Sequence, residues 1–274
     1  MRVFISCDIE GIGCVTRPEH SSIEGRDYIQ SRRLMTGEVN SAIKGAFDSG
    51  AERVLVADSH NVGLNLLPEE LDQRAELVMG SPRPLSMMEG VQHGFEAVFF
   101  VGYHARPGTA DGVIAHNFHS RLMETRLNGR VMGEMGFNAA LAGFYKAPVV
   151  LVTGDAATAA EAGDLLPWAE TVAVKEGIGA YASRCYSPSV CRERIYEGAK
   201  KALAGMSAKK LFTIEEPAVL ELDVTTASGA DRLERIPMLN RMAPTRLQSD
   251  PVSLRTALDI FLVSADLVNL CTFI

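Results

Sequence analysis

Residues 2–11, Arg2-Val3-Phe4-Ile5-Ser6-Cys7-Asp8-Ile9-Glu10-Gly11, run from an apolar stretch straight into two carboxylates. A short run of this kind, closed by a glycine, reads as a strand buried on both faces, as in parallel sheets. The carboxyl end of such a strand is where open α/β sheets bind their ligands. The same arrangement recurs twice downstream. Residues 53–60 end in Ala57-Asp58-Ser59-His60, and residues 97–104 end in Gly102-Tyr103-His104.

Around these three strands, helical and strand patterns alternate. Leu34, Val39, Ile43 and Phe47 recur at helical spacing within residues 27–49, and Gly50 follows as a stop. Further strands are expected over 53–57, 76–79, 97–103, 147–153 and 170–174. Helices are expected over 85–93, 134–145 and 156–166. Residues 124–131 read as a hairpin about Asn128-Gly129, the strongest two-residue turn signal. Strands separated by helices imply an α/β fold with a three-layer, mostly parallel sheet.

After about Tyr186 the pattern changes. A helix over 189–204, a strand over 218–224, a short helix over 231–236, a strand over 245–248 and an apolar helix over 252–268 suggest a smaller C-terminal α+β domain. The expected division is therefore 1–187, an α/β metal-binding catalytic domain, and 188–274, a smaller domain for packing and oligomerisation. The absence of a glycine/serine linker favours tight packing.

With 47% hydrophobic and 22% charged residues among 274, the chain has globular composition and room for a core. A net charge of −7 without a basic block argues against a nucleic-acid partner. No apolar run approaches the ~18–20 residues of a membrane span, so no membrane partner is expected. The amino terminus lacks the apolar stretch and cleavage site of a signal peptide, which suggests a cytoplasmic location. Cys7, Cys14, Cys185, Cys191 and Cys271 form no C-x-x-C pair and read as free thiols.

The chemistry concentrates at the strand ends. Asp8 and Glu10 are two apart, so on an extended chain both side chains point the same way. Two such carboxylates repel unless a cation lies between them. Together with His60 and His104 they make a borderline donor set, suited to zinc and acceptable to manganese or cobalt. Calcium or magnesium would favour oxygen donors throughout. Glu134 opens a helix, where the dipole favours a carboxylate in any case. His116, in Val113-Ile114-Ala115-His116-Asn117-Phe118-His119, reads with His119 as a ligand, a general acid/base or a loop histidine. Each of these residues alone also fits a cap or a turn; their joint occurrence at neighbouring strand ends carries the weight. His20 and His93 look structural. Gly11-Ile12-Gly13 lacks the third glycine of a dinucleotide loop, and Pro18 blocks an immediate helix. No phosphate-binding loop, nucleophile elbow or H-E-x-x-H is present. Cys14 lies near the acidic loop but in no context that marks a nucleophile.

Ser6-x-Asp8-x-Glu10-Gly11 resembles the signature of the DppA-like zinc-dependent D-aminopeptidases. So do 33–40 (Arg-Leu-Met-Thr-Gly-Glu-Val-Asn), Asp58-Ser59-His60 with Asn65-Leu66-Leu67-Pro68, Gly102-Tyr103-His104-Ala105, and the stretch from Leu127-Asn128-Gly129 through Gly133-Glu134. The similarity covers most of residues 1–180, in the family's order. It implies two zinc ions per chain, with Asp8 as bridge, Glu10 and His60 on one metal, and His104 and Glu134 on the other. It matches His116 to the family's catalytic histidine. It further implies a metal-activated water, short peptide substrates with an N-terminal D-amino acid such as D-Ala-D-Ala, and a homodecamer of two stacked pentamers. Two other readings fit the residues alone: a metal-dependent phosphoester hydrolase, and a non-catalytic metal-stabilised assembly protein.

Overall fold

The computed structural model describes residues 1–269; Cys271, expected to be a free thiol, and the last residues of the expected C-terminal domain lie outside the described residues. In chain order the elements begin with β1 (Arg2–Cys7), α1 (Pro18–Ser21), α2 (Tyr28–Asp48), β2 (Arg53–Asp58), β3 (Glu76–Val78), β4 (Ala97–Tyr103), β5 (Leu122–Leu127) and β6 (Arg130–Val131). They continue with α3 (Glu134–Phe144), β7 (Val149–Asp155), α4 (Ala156–Leu165), β8 (Glu170–Gly179), β9 (Ala182–Cys185) and α5 (Pro188–Ala204). The chain closes with β10 (Leu220–Val224), α6 (Ala227–Leu233), β11 (Leu239–Ala243), β12 (Arg246–Ser249) and α7 (Leu254–Asn269).

The chain forms two compact units. Among the described residues, the first comprises 1–105, 109–114 and 141–212; the second comprises 106–108, 115–140 and 213–269. This differs from a single cut at residue 187: α5 belongs to the first unit, and the β5–β6 hairpin to the second. Sequence patterning follows the chain linearly, whereas compact units form from whichever segments pack together.

The first unit holds a seven-stranded sheet in the order β3-β2-β1-β4-β7-β8-β9. All pairings are parallel except β8–β9, which is antiparallel. Interior strand β1 is flanked by β2 and β4, with Cys7 opposite both Asp58 and Val101. Its apolar residues Val3, Phe4 and Ile5 are fully buried, and such side chains each contribute about 1.5–3 kcal/mol. Val3, Ile5 and Cys7 join a core with Met35, Val39 and Ile43 of α2 and Ile195 and Ala199 of α5. Phe4 and Ser6 alternate to the other face, where Phe95 and the Met87 carbonyl meet them. Both faces are therefore covered, as the unbroken apolar pattern requires.

The second unit holds a five-stranded sheet in the order β11-β12-β10-β5-β6. Its β5–β6 hairpin turns at Asn128 and Gly129, with φ of 50° and 75°, as the Asn-Gly signal demands. In the same unit Phe261 of α7 stacks on Phe137 at 4.0 Å between ring centres and meets Phe118 edge-on.

Several elements depart from expectation. Residues 85–93 form two 3-10 turns, Ser86–Met88 and Val91–His93, because Gly90 takes φ 109° between them. The short helix placed at 231–236 starts earlier, as α6, where Thr226 caps the Gly229 N–H. β8 runs five residues past Val174, and β9 and β11 were not anticipated. Among the described residues no helix is long and apolar enough to cross a membrane.

Candidate metal centre

Parallel register brings the three strand ends to one edge of the larger sheet. Asp8 follows β1, His60 follows β2 and His104 follows β4, while backbone hydrogen bonds lock the exits. Asp8 N–H donates to Val101 O at 2.8 Å, Ser59 N–H to Cys7 O at 2.9 Å, and Gly11 N–H to Gly102 O at 2.8 Å. Behind these exits lies a buried hydroxyl network. Ser6 Oγ is 3.0 Å from Ser59 Oγ and 2.8 Å from Tyr103 Oη, and both serines donate to the Met87 carbonyl. Each member stands one or two residues from Asp8, His60 or His104. The acidic loop approaches the β4 end so closely that only glycine fits at Gly102. Its φ is +72°, and a Cβ there would lie 2.3 Å from the Asp8 carbonyl oxygen.

Four of the expected residues converge in this first unit. His60 Nδ1 lies 3.2 Å from Asp8 Oδ1 and 3.0 Å from Glu10 Oε2. His104 Nε2 lies 3.5 Å from Asp8 Oδ2. The two Asp8 oxygens thus face two different histidines. One ligand atom each from Asp8, Glu10 and His104 falls within a mutual distance of 4.8 Å. The far side of each ring is fixed by backbone: His60 Nε2 is 2.8 Å from Ser21 O, and His104 Nδ1 is 3.0 Å from Ala105 O. A ring N–H donating to each carbonyl leaves the opposite nitrogen with its lone pair aimed at the carboxylates. Histidine ligands of metals are oriented in this way.

The electrostatics point the same way. Burial, and then the Glu10 carboxylate, push the Asp8 carboxyl up to about 7. Burial works against a charged His60, yet Glu10 and Asp8 together hold it well above its ordinary value. Without a cation the cluster can relieve its repulsion only by retaining protons.

The His60 loop has its own scaffold. Asp58, fully buried, accepts the Asn65 and Leu66 N–H groups at 2.6 and 2.7 Å and the Asn65 side-chain amide at 2.6 Å. That amide also donates to the His60 carbonyl, and Tyr28 Oη donates to Asn65 Oδ1. Asp58 and Asn65 thereby hold the His60 loop, and Tyr28 holds Asn65. Asp58 and Asn65 belong to quoted motifs, but nothing in the sequence marks Tyr28.

The second unit holds Glu134 and His116. Glu134, at the start of α3, accepts the Phe118 N–H at 2.6 Å, and its Oε1 lies 3.9 Å from His116 Nε2. Asn117, between His116 and Phe118, is fully buried and donates to Thr125 Oγ1 at 2.9 Å. The remaining candidates have other surroundings. His119 Nδ1 accepts the Arg121 N–H, and His20 Nδ1 the Thr16 N–H. His93 is exposed, ahead of β4 and hence at the far end of that strand. Burial raises the Cys14 thiol to about 11, so it stays protonated and a poor nucleophile.

A family profile described as D-aminopeptidase (peptidase M55) matches residues 1–263. A curated D-aminopeptidase of Bacillus subtilis is 34% identical over 276 residues, spanning 100% of both chains. A solved structure described as the Zn-dependent D-aminopeptidase DppA from Bacillus subtilis, a self-compartmentalizing protease, superposes with a TM-score of 0.97. It is 33% identical and covers 100% of each chain.

Proposed function

The chain belongs to the D-aminopeptidase family and is a zinc metallo-aminopeptidase; we propose that Asp8, Glu10, His60, His104 and Glu134 hold two zinc ions and that His116 is the catalytic histidine. The observation that carries this reading is the division of the Asp8 oxygens between His60 and His104. A carboxylate bridging two metals presents its oxygens in that way. The donor set fits zinc: two imidazoles, each with its outer nitrogen fixed by a carbonyl, and buried carboxylates whose charges need a cation. Assignment to the family removes the phosphoester reading.

When bound, the metal pair supplies Lewis acidity toward the scissile carbonyl and lowers the pKa of the attacking water. The surrounding residues supply the rest. The substrate's free α-amino group would anchor on a metal or on a nearby carboxylate, which restricts cleavage to the amino end. His116 is half-buried and adjacent to a carboxylate, a setting that suits it to deliver a proton to the departing amine. The hydroxyl network behind the site holds the strand ends rigid.

The substrates are short peptides with an N-terminal D-amino acid, D-Ala-D-Ala among them. The assembly is a homodecamer of two stacked pentamers. The relative's description as self-compartmentalizing supports this, and exposed Met123, Met242 and Val263 give the second unit apolar surface for such contacts. The C-terminal portion, 188–274, serves packing and oligomerisation. A cytoplasmic location agrees with four cysteines, Cys7, Cys14, Cys185 and Cys191, remaining unpaired. Assay of the zinc-loaded protein against D-Ala-D-Ala and L-Ala-L-Ala tests the reading: rapid cleavage of the D,D substrate alone is expected, and cleavage of neither refutes it.

A further inference from the structure

Strand β8 carries Thr171-Val172-Ala173-Val174-Lys175, and its lysine is fully buried. Lys175 lies beside Asp155 on β7 and opposite Cys185 on β9. Removing an ammonium from water is costly unless every N–H finds an acceptor. Lysine has three N–H donors, and all three are used here. Nζ donates to the carbonyl oxygens of Glu10 and Val15, and to that of Ile12 at 3.0 Å. All three belong to one segment, the turn that leaves β1 through Asp8.

The N–H groups of that segment are held separately. It makes two local turn bonds, Ile12 N–H to Ile9 O and Val15 N–H to Ile12 O, at 3.2 and 3.1 Å. Its other backbone ties outside the turn are the Gly11 N–H to Gly102 O at 2.8 Å and Glu38 of α2, buried, whose Oε1 accepts the Gly13 N–H at 2.9 Å. The Glu38 and Asp155 carboxylates, with the Cys185 thiol and Glu10, are the groups that face the Lys175 charge. The turn is therefore gripped on its carbonyls by the Lys175 ammonium from β8 and on an N–H by the Glu38 carboxyl from α2. At Glu10 the grip is direct: the backbone carbonyl is bound to Lys175 while the side chain meets His60 at 3.0 Å.

We propose that Lys175 is a positioning residue for the metal centre: by fixing the carbonyls of residues 10, 12 and 15, it sets the direction in which the Glu10 and Asp8 carboxylates present themselves to zinc. The inference rests on the reading that Asp8 and Glu10 are zinc ligands. Lys175 touches neither substrate nor metal and acts through the turn alone.

The test is zinc affinity, measured by chelator competition on the full chain for wild type, Lys175→Met and Val54→Ala. Methionine keeps an unbranched side chain one atom shorter and removes all three donors. Val54→Ala is a core truncation on β2, remote from the turn. Loss of an outer-shell partner typically weakens metal binding ~10–100-fold, and that is expected for Lys175→Met, with Val54→Ala binding zinc as wild type does. The zinc-induced rise in melting temperature is expected to shrink in Lys175→Met and to persist in Val54→Ala, whereas a purely structural lysine would lower both melting temperatures and leave the rise intact. If Lys175→Met fails to fold, Lys175→Gln, which keeps two donors, replaces it with an intermediate loss expected. Wild-type zinc affinity in the folded Lys175 variant overturns the proposal alone. Absence of zinc binding by the wild type overturns the metal-centre reading and this inference with it.

Discussion

His60 Nδ1 sits 3.0 Å from Glu10 Oε2, two side chains fifty residues apart brought together by the parallel register of β1 and β2. With its outer nitrogen held by Ser21 O, the ring has one orientation and one nitrogen to offer. His60→Ala removes that donor and leaves Asp8 and Glu10 facing each other. We expect zinc content to fall and hydrolysis of D-Ala-D-Ala to drop by orders of magnitude. Near-normal turnover in both His60→Ala and His104→Ala contradicts the assignment.

Asp58 predicts a different kind of loss. It is buried and accepts three N–H groups from Asn65 and Leu66. Asp58→Ala leaves those donors without acceptors, at about 1–3 kcal/mol for each that stays dry. A stability loss of roughly 3 kcal/mol or more in urea denaturation, accompanied by weaker zinc binding, is expected. A loss below ~1 kcal/mol would mean that the loop repacks and that Asp58 does not hold His60.

Glu38 makes stability depend on pH. Burial raises its carboxyl from 4.5 to about 7. Between those values the folded protein keeps a proton that the unfolded chain has released, so this contribution is fully present below about pH 4.5 and is lost as pH rises through about 7. Glu38→Gln cannot ionise. At fixed zinc, its stability difference between about pH 5 and about pH 8 should be smaller than that of wild type, by on the order of 3 kcal/mol at most. Identical pH profiles for the two proteins would show that Glu38 is not proton-linked to folding.

His116 separates catalysis from binding. It is not among the proposed ligands, so His116→Ala should retain zinc while losing turnover. If the variant loses zinc in elemental analysis, His116 is a ligand and its assigned role is wrong.

The sequence displayed the site where the site depends on short-range pattern. Apolar runs ending in Asp8, His60 and His104 marked strand ends, and parallel pairing then placed those ends side by side. Asn128-Gly129 marked its hairpin because only such residues accept two positive φ values cheaply. What stayed hidden depends on distant partners. The strand pattern breaks at the polar pair Lys175-Glu176, yet β8 continues to Gly179 and Lys175 is buried by acceptors some 160 residues earlier in the chain. β11 was invisible because four of its five residues, Asn240 to Ala243, are partly or fully exposed and carry no alternation. The helix expected over 85–93 failed at Gly90, whose left-handed φ the apolar spacing around it concealed.

The central claim is that Asp8 presents its two oxygens to two metals. Zinc per chain, measured by elemental analysis of the purified protein after dialysis against zinc-free buffer, tests it directly. Two zinc ions per chain, falling toward none in Asp8→Ala, is the predicted result; wild-type protein with no bound zinc, or Asp8→Ala with its full complement, contradicts it.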